Sequence, residues 1–378
     1  MSGRIHNFKI LAVNLDDGVV AQSMEAAYQQ LKSPGFPTLY FFNSTTFNSP
    51  AEIDQEVVNG NYWAAIYTNA NISNQLTDAI SSGGSVARSY NSSKAITYTW
   101  NEVRYPAFSD QIINSNLNIL ISATRLVFNQ IYGPTAAKTI KQGDNDALQV
   151  FLNPIGSTVN NFQSTTQGPR LFFNTVSVAM MILQQFFLVL GPNMMLMAMG
   201  VYKQYSWQRT LLIRMVFAAL SSFFNGLIVS GYYWAFRESW AVNGNQFVLT
   251  WMTVWLVTAI YHLFLYGTTC LVPLPAMPLI LITFVFLNIT STVSPFDANP
   301  GFYRVGYATP AYQAYATLVD IWSGGRVNAL YRSLPILFSW LILLTAFVVF
   351  AHRFMCLKLK KASIHAAPVD KTLEDEQA

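Results

Sequence analysis

Residues 171–199, LFFNTVSVAMMILQQFFLVLGPNMMLMAM, hold not one Lys, Arg, Asp or Glu. A spanning helix needs about 20 predominantly apolar residues, rising about 1.5 Å each, to cross about 30 Å of hydrocarbon, and this run exceeds that length. Outward from it toward the C-terminus, the runs 211–236, 247–272, 277–294 and 334–354 meet the same measure and carry almost no charge. Buried core helices are the alternative, but five such runs in succession would leave a water-soluble protein without a polar surface. The sequence therefore predicts an all-α transmembrane bundle of five helices over 171–356, followed by a disordered, cytoplasmic tail over 357–378.

The first 170 residues obey another regime. They contain ten Lys/Arg and eleven Asp/Glu, a near-neutral balance that fits a domain in water. Over the whole chain 52% of residues are apolar and only 11% charged, against about 25% charged in an ordinary soluble domain, so the deficit belongs to the second half. The net charge of +4 comes from basic residues beside the apolar runs, a placement that predicts no nucleic-acid partner.

Within 1–170 the pattern alternates between strand and helix. Residues 9–14 read as a short buried strand ended by Asp16-Asp17-Gly18, and 19–31 as a helix stopped at Pro34-Gly35. Strands follow at 38–42, 62–67 and 95–100, with helices at 51–58 and 72–80 between them. A long helix over 108–132 carries Ile113, Leu117, Leu120, Thr124, Val127 and Ile131 on one stripe and stops at Gly133-Pro134; 148–152 reads as a last strand. Such alternation predicts an α/β (α+β) layer domain.

Orientation follows from Lys/Arg in short loops. With residues 1–170 outside, the cytoplasmic segments carry Lys203, Arg209, Arg214, Arg353, Lys358, Lys360 and Lys361, and the outer loops only Arg237, Arg304, Arg326 and Arg332. An extracytoplasmic domain and a cytoplasmic C-terminus are expected. Asn43, Asn71 and Asn91 head three Asn-x-Ser/Thr sequons and are the glycosylation candidates, though a segment so rich in Asn, Ser and Thr yields that many by chance. Export needs a signal, and Arg4, His6 and Lys9 interrupt any cleavable one. The expectation is a longer form with a signal-anchor helix before Met1, spanning six times with both ends cytoplasmic.

Chemistry-bearing motifs are sparse. No phosphate-binding Gly-x-x-x-x-Gly-Lys-Ser/Thr occurs, the five runs contain no Asp or Glu, and His6, His262, His352 and His365 are scattered. With no metal-ligand spacing and no nucleophile elbow, neither a metal, a cofactor nor an enzyme activity is expected. His262 is an ionisable group near a helix centre, either a hydrogen-bonding partner between helices or a proton carrier. Gln184, Gln185 and Asn193, beside the helix-bending Gly191-Pro192, are too costly to face lipid and point into the bundle or a wet cavity; with Asn225 and His262 they are the substrate-lining candidates. Ala218, Ser222, Gly226 and Ser230 recur every fourth residue, a small-residue face for close helix packing, within the chain or in a homodimer. Cys356, among Arg353, Lys358, Lys360 and Lys361, is either an acylation candidate or an unmodified boundary thiol. Residues 311–322 place Tyr312, Tyr315, Val319 and Trp322 on one edge, as a helix lying in the outer membrane interface would, with a dip into the membrane as the alternative.

The strand 9–14 with its Asp-Asp-Gly, the segment Val57-Val-Asn-Gly-Asn-Tyr-Trp-Ala-Ala-Ile66, and the block ending in Ala308-Thr-Pro-Ala-Tyr-Gln and Ile321-Trp-Ser-Gly-Gly resemble the fungal nitrosoguanidine-resistance membrane proteins. Those are similar to the bacterial phage infection protein family and, more remotely, to type 2 permease subunits of ABC transporters. The resemblance covers roughly residues 9–356. It implies an N-terminal transmembrane helix that this sequence lacks, a plasma-membrane or endomembrane location, and a role in tolerance to toxic compounds. The expected function is a permease-like protein exporting a hydrophobic compound or lipid, with the bilayer and a homodimeric or other membrane partner around it. The alternative is a non-transporting organiser or scaffold that affects lipid distribution.

Overall fold

The computed structural model describes residues 2–162, 164, 175–237 and 241–365. Residues 171–174, at the start of the first apolar run, and 366–378 of the tail lie outside that set. The chain forms two compact units, one of residues 1–170, 294–304 and 319–329, the other of 171–293, 305–318 and 330–378.

The first unit is built on a five-stranded mixed sheet. Its strands are β1 (Lys9–Asn14), β2 (Thr38–Asn43), β3 (Ala64–Thr68), β4 (Ile96–Trp100) and β5 (Ser157–Asn161), in the order β2-β1-β3-β4-β5. β1 runs parallel to β2 and β3, with Ile10 opposite both Leu39 and Ala64, whereas β3 and β4 are antiparallel and β4 and β5 parallel. Every residue of β1 beyond Lys9 is buried, because both sheet faces are covered, as parallel strands require. α1 (Val19–Leu31) joins β1 to β2 and α2 (Pro50–Val58) joins β2 to β3. The two crossovers run in opposite directions along the sheet, so right-handed connection sends them to opposite faces. Under α2 lies the cluster Leu11, Val13, Ile53, Val57, Ala65, Tyr67 and Phe162. On α1 packs α5 (Ser115–Ile131), whose buried Leu117, Leu120, Thr124 and Val127 recur with helical spacing. Between them in sequence are α3 (Ile72–Ser82) and α4 (Gly84–Ser89); α6 (Gly133–Thr139) and α7 (Asn145–Leu152) follow.

Two later segments complete this unit. The Trp63 indole N–H donates to Asp297 Oδ2 at 2.9 Å, Asn7 Nδ2 donates to the Asp297 carbonyl at 3.0 Å, and the Asn328 amide donates to the Val58 carbonyl at 3.0 Å. The domain boundary expected at residue 170 is thus incomplete. Residues 294–304 and 319–329, expected within the transmembrane region 171–356, belong to the sheet domain.

The second unit is helical: α8 (Thr175–Ala198), α9 (Val201–Gln204), α10 (Trp207–Ala235), α11 (Gly244–Leu271), α12 (Met277–Ile289), α13 (Pro310–Trp322), whose end belongs to the first unit, and α14 (Leu330–His365). Four of them, α8, α10, α11 and α14, are long and apolar enough to cross a membrane. Ser206 caps α10, and Asn243 with Gln246 forms a reciprocal capping box on α11, which satisfies the first free N–H groups of each helix. Trp207 and Trp234, near the two ends of α10, stand under the guanidinium groups of Arg353 and Arg237 at 5.5 and 4.0 Å. Twenty-seven residues of helix separate those rings, about 40 Å at 1.5 Å each, which matches a bilayer including its interfacial layers.

Polarity on α10 is inverted relative to a soluble helix. Leu212, Ile213, Val216, Leu220, Phe224 and Ile228 are all at least 50% exposed, while Thr210, Arg214, Ser222, Asn225 and Ser230 are at most 5% exposed. Soluble proteins place such residues the other way round. α11 sits centrally, packed against α8, α10 and α14, with Ile260, Tyr261, His262 and Leu265 fully buried.

Several expectations need correction. Among the described residues four helices, not five, reach spanning length, because the run 277–294 yields only α12, 13 residues long and about 20 Å against the ~30 Å of hydrocarbon. Pro275 and Pro278 confine its start, and Thr290, Ser291 and Thr292 turn the chain at its end. Residues 148–152 are not a strand but the end of α7. Its N-cap Asp144 accepts from the Ala147 amide, and an N-cap bond of this kind outweighs the β-leaning Val150-Phe151 pair. The tail does not begin at 357, since α14 continues to His365. The long helix does stop before Gly133-Pro134, at Ile131, and a further helix, α6, starts at Gly133. Residues 311–322 are a helix but not one lying in an interface, because α13 has no exposed position, and a surface-bound amphipathic helix must show one face.

Asp144 also holds the Gly84 amide at 3.0 Å. The backbone N–H of Ala147, foremost, and that of Gly84 keep its carboxyl below the ordinary value of 3.8. A depressed carboxyl contributes stability that is present above the unfolded value and lost as pH falls through the folded one. Asn still caps a helix but carries no charge. The gap in thermal midpoint between wild type and Asp144→Asn, followed by circular dichroism, should therefore be open at pH 7 and narrow as pH drops below 3.8.

Candidate functional site

α10 carries the site. Thr210, Arg214, Ala218, Ser222, Gly226 and Ser230 lie four residues apart, so one face of the helix presents them all to the interior, where each is buried. Gly226 is where the backbones meet. A Cβ there would lie 3.0 Å from Trp255 Cα and N of α11. One step away the Thr258 hydroxyl reaches the Ser222 carbonyl at 3.2 Å. The small-residue stripe is used within the chain, between α10 and α11.

Arg214 is 1% exposed. Its Nη2 donates to the Val189 carbonyl of α8 at 3.4 Å, and its guanidinium carbon stands 4.3 Å from the Tyr266 ring centre. Pro192 interrupts α8 and supplies no N–H for the carbonyl four residues earlier, so this is the turn where the ladder of α8 is broken. Nε and Nη1 of Arg214 have no hydrogen-bond partner among the described residues. Beside the cation, His262 Nδ1 and Gln185 Oε1 are 2.9 Å apart. An amide oxygen only accepts, so Nδ1 carries the proton and Nε2 is the bare acceptor. That Nε2, and the Gln185 amide nitrogen, have no partner among the described residues.

On the other side of Arg214 the bonds are made. His352 of α14 meets the Tyr266 hydroxyl at 2.6 Å through Nδ1, and the Thr210 hydroxyl at 2.9 Å and Trp207 carbonyl at 3.1 Å through Nε2. The carbonyl assigns the proton to Nε2, leaving Nδ1 to accept from tyrosine. Tyr202 donates to Asn193 Oδ1 at 2.8 Å and stacks edge-on against His352. Four long helices and α9 thus share one polar interior, satisfied at the His352 end and short of partners around Arg214, Gln185 and His262.

Of the five substrate-lining candidates, the structure brings Gln185 and His262 together, ties Asn193 to Tyr202, and leaves Asn225 buried on the α10 face with an unpartnered Nδ2. Gln184 is half-buried on α8, away from these contacts. Arg214, expected only as one of the cytoplasmic basic residues, and His352, expected only as one of four scattered histidines, join this site together with Thr210 and Tyr266. Extending the small-residue stripe back by four and then eight residues from Ala218 arrives at Arg214 and Thr210. Cys356 as an acylation candidate needs correction. It is 1% exposed, with Sγ 3.5 Å from His352 Nε2, so the thiol faces protein rather than an acyl donor. Asn43, Asn71 and Asn91 are all exposed. The sheet domain has a cavity of about 170 Å³ lined by Val19, Ile80, Phe128, Tyr132 and Ala136, but it holds no charged group. No group of three or more His, Cys, Asp or Glu stands together among the described residues.

A family model described as a protein of unknown function, DUF3533, matches residues 1–346. The chain belongs to the DUF3533 family. The match runs through both units and takes in every residue named around Arg214 except those at the end of α14. No solved structure matches the chain significantly.

Because Gly226 meets backbone, Gly226→Ala should destabilise by about 1–3 kcal/mol, the usual cost of overpacking, and Gly226→Leu by more. Gly231, with nothing within 4 Å, is the control on the same helix. Gly231→Ala should be neutral or stabilising, since alanine favours helix by about 1 kcal/mol. Thermal unfolding midpoints of the three variants in one detergent check both signs.

Proposed function

We propose that this DUF3533 protein is an integral membrane permease that carries an amphipathic compound or lipid across the bilayer and so contributes to tolerance of toxic compounds. The observation that carries this reading is the inverted polarity of the bundle. Its outer faces are Leu, Ile and Phe, and its interior holds Arg214, Gln185, His262 and Asn225 with donors and acceptors unmade. In hydrocarbon a buried polar group without a partner costs several kcal/mol, and a solute's polar end passing through would recover part of that. The resemblance to nitrosoguanidine-resistance proteins and type 2 permeases supports the same reading, with residues 1–170 extracytoplasmic and the C-terminus cytoplasmic. The four spans contain no Asp or Glu and the chain no phosphate-binding loop, so movement is downhill or driven by a partner.

The test is the purified chain in liposomes bearing a fluorescent phospholipid in both leaflets, with a membrane-impermeant quencher added outside. Transport predicts loss of clearly more than half the signal, as inner-leaflet lipid moves out and is quenched. Quenching no greater than in protein-free liposomes, repeated with a labelled hydrophobic drug, would retire the permease reading in favour of a lipid-organising scaffold.

A further inference from the structure

We infer that the interior around Arg214 is an oxyanion site, built to take a phosphate-type group from an amphipathic lipid or from solution. Three observations on the same few residues point there. First, Arg214 is a fully buried cation, and Glu238, Asp297 and Asp320 are the only carboxylates between residues 171 and 369. None lies in the four spans, and a buried charge is ordinarily paired. Second, the unmade bonds beside it are mostly donors: Arg214 Nε and Nη1, and the Gln185 amide nitrogen. Gln185 is held by His262, which fixes its oxygen and leaves its NH2 group to give. Third, the contacts Arg214 makes, one carbonyl at 3.4 Å, the Tyr266 ring face at 4.3 Å and the Phe217 ring at 5.8 Å, position the guanidinium without neutralising it. Nε–H and the Nη1 N–H groups lie on different edges of the guanidinium, on either side of the Nη2 that contacts Val189, and each can give a charge-assisted hydrogen bond to an anionic oxygen.

The inference shares its site with the transport reading but does not require flux. Anion binding without flux would leave the site and retire the permease, and flux indifferent to anions would do the reverse. The experiment uses the full chain in neutral detergent and follows the thermal midpoint on titration with phosphatidic acid, with phosphatidylcholine, or with inorganic phosphate. Phosphatidic acid should raise the wild-type midpoint by several degrees over an equal amount of phosphatidylcholine. A comparable rise with inorganic phosphate alone would assign the site to a free solute rather than a headgroup. Arg214→Lys should keep the response with at least tenfold weaker half-saturation, and Arg214→Gln should lose it. Gln185→Leu keeps the charge but removes a donor and should weaken half-saturation severalfold, which covers the case in which Arg214→Gln does not fold. No shift with either phosphate source, or a phosphatidic acid shift that survives unchanged in Arg214→Gln or, if that variant does not fold, in Gln185→Leu, would overturn the inference.

Discussion

Hydrocarbon offers no hydrogen bonds, and the helical unit is arranged around that constraint. Each long helix satisfies its own backbone, which is why α8, α10, α11 and α14 run uninterrupted for 24 to 36 residues apart from two prolines. Side chains that still need partners are turned inward, toward the one environment that can supply them. Apolar burial, the main driving force in water, gives little here because lipid is as apolar as leucine, so close packing and interhelical hydrogen bonds must hold the bundle. Gly226 against Trp255, and Gly267 of α11, where an added Cβ would collide with the Phe347 ring of α14, are two positions where the packing leaves no room for a side chain.

This arrangement explains why structure and candidate function share residues. The i+4 face of α10 supplies the small residues that let α11 approach and the Thr210 and Arg214 side chains that reach His352, Tyr266 and α8. Pro192 breaks the backbone ladder in α8 at the turn to which the guanidinium binds. A bundle optimised only to pack would have an apolar residue at 214. The polar interior costs stability, and an occupant of the kind proposed above would offset part of that cost.

Much of this was legible in the residues. The alternation across 9–100 predicts the strands and crossovers because each element is short, closed by Gly, Pro or Asp, and buried on a simple period. The membrane regime is equally plain from runs without charge. What escaped was tertiary. Run length alone made 277–294 a span, whereas the prolines before it and the Thr-Ser-Thr after it shorten the helix. Val150-Phe151 suggested a strand because propensity is weaker than an Asp144 cap. Residues 294–304 and 319–329 belong to the sheet domain through long-range contacts such as Trp63 to Asp297, which no local pattern announces. Arg214 entered the reading only as a cytoplasmic-side charge although it lies within the run 211–236, and its register with Ala218 and Ser222 carried the better information.

The central claim is that hydrocarbon is the solvent for α8, α10, α11 and α14. Extraction of membranes containing the full chain with alkaline carbonate tests it directly. The intact chain should stay in the membrane pellet and be released only by detergent; recovery of the chain in the carbonate supernatant would mean that these helices do not span a bilayer.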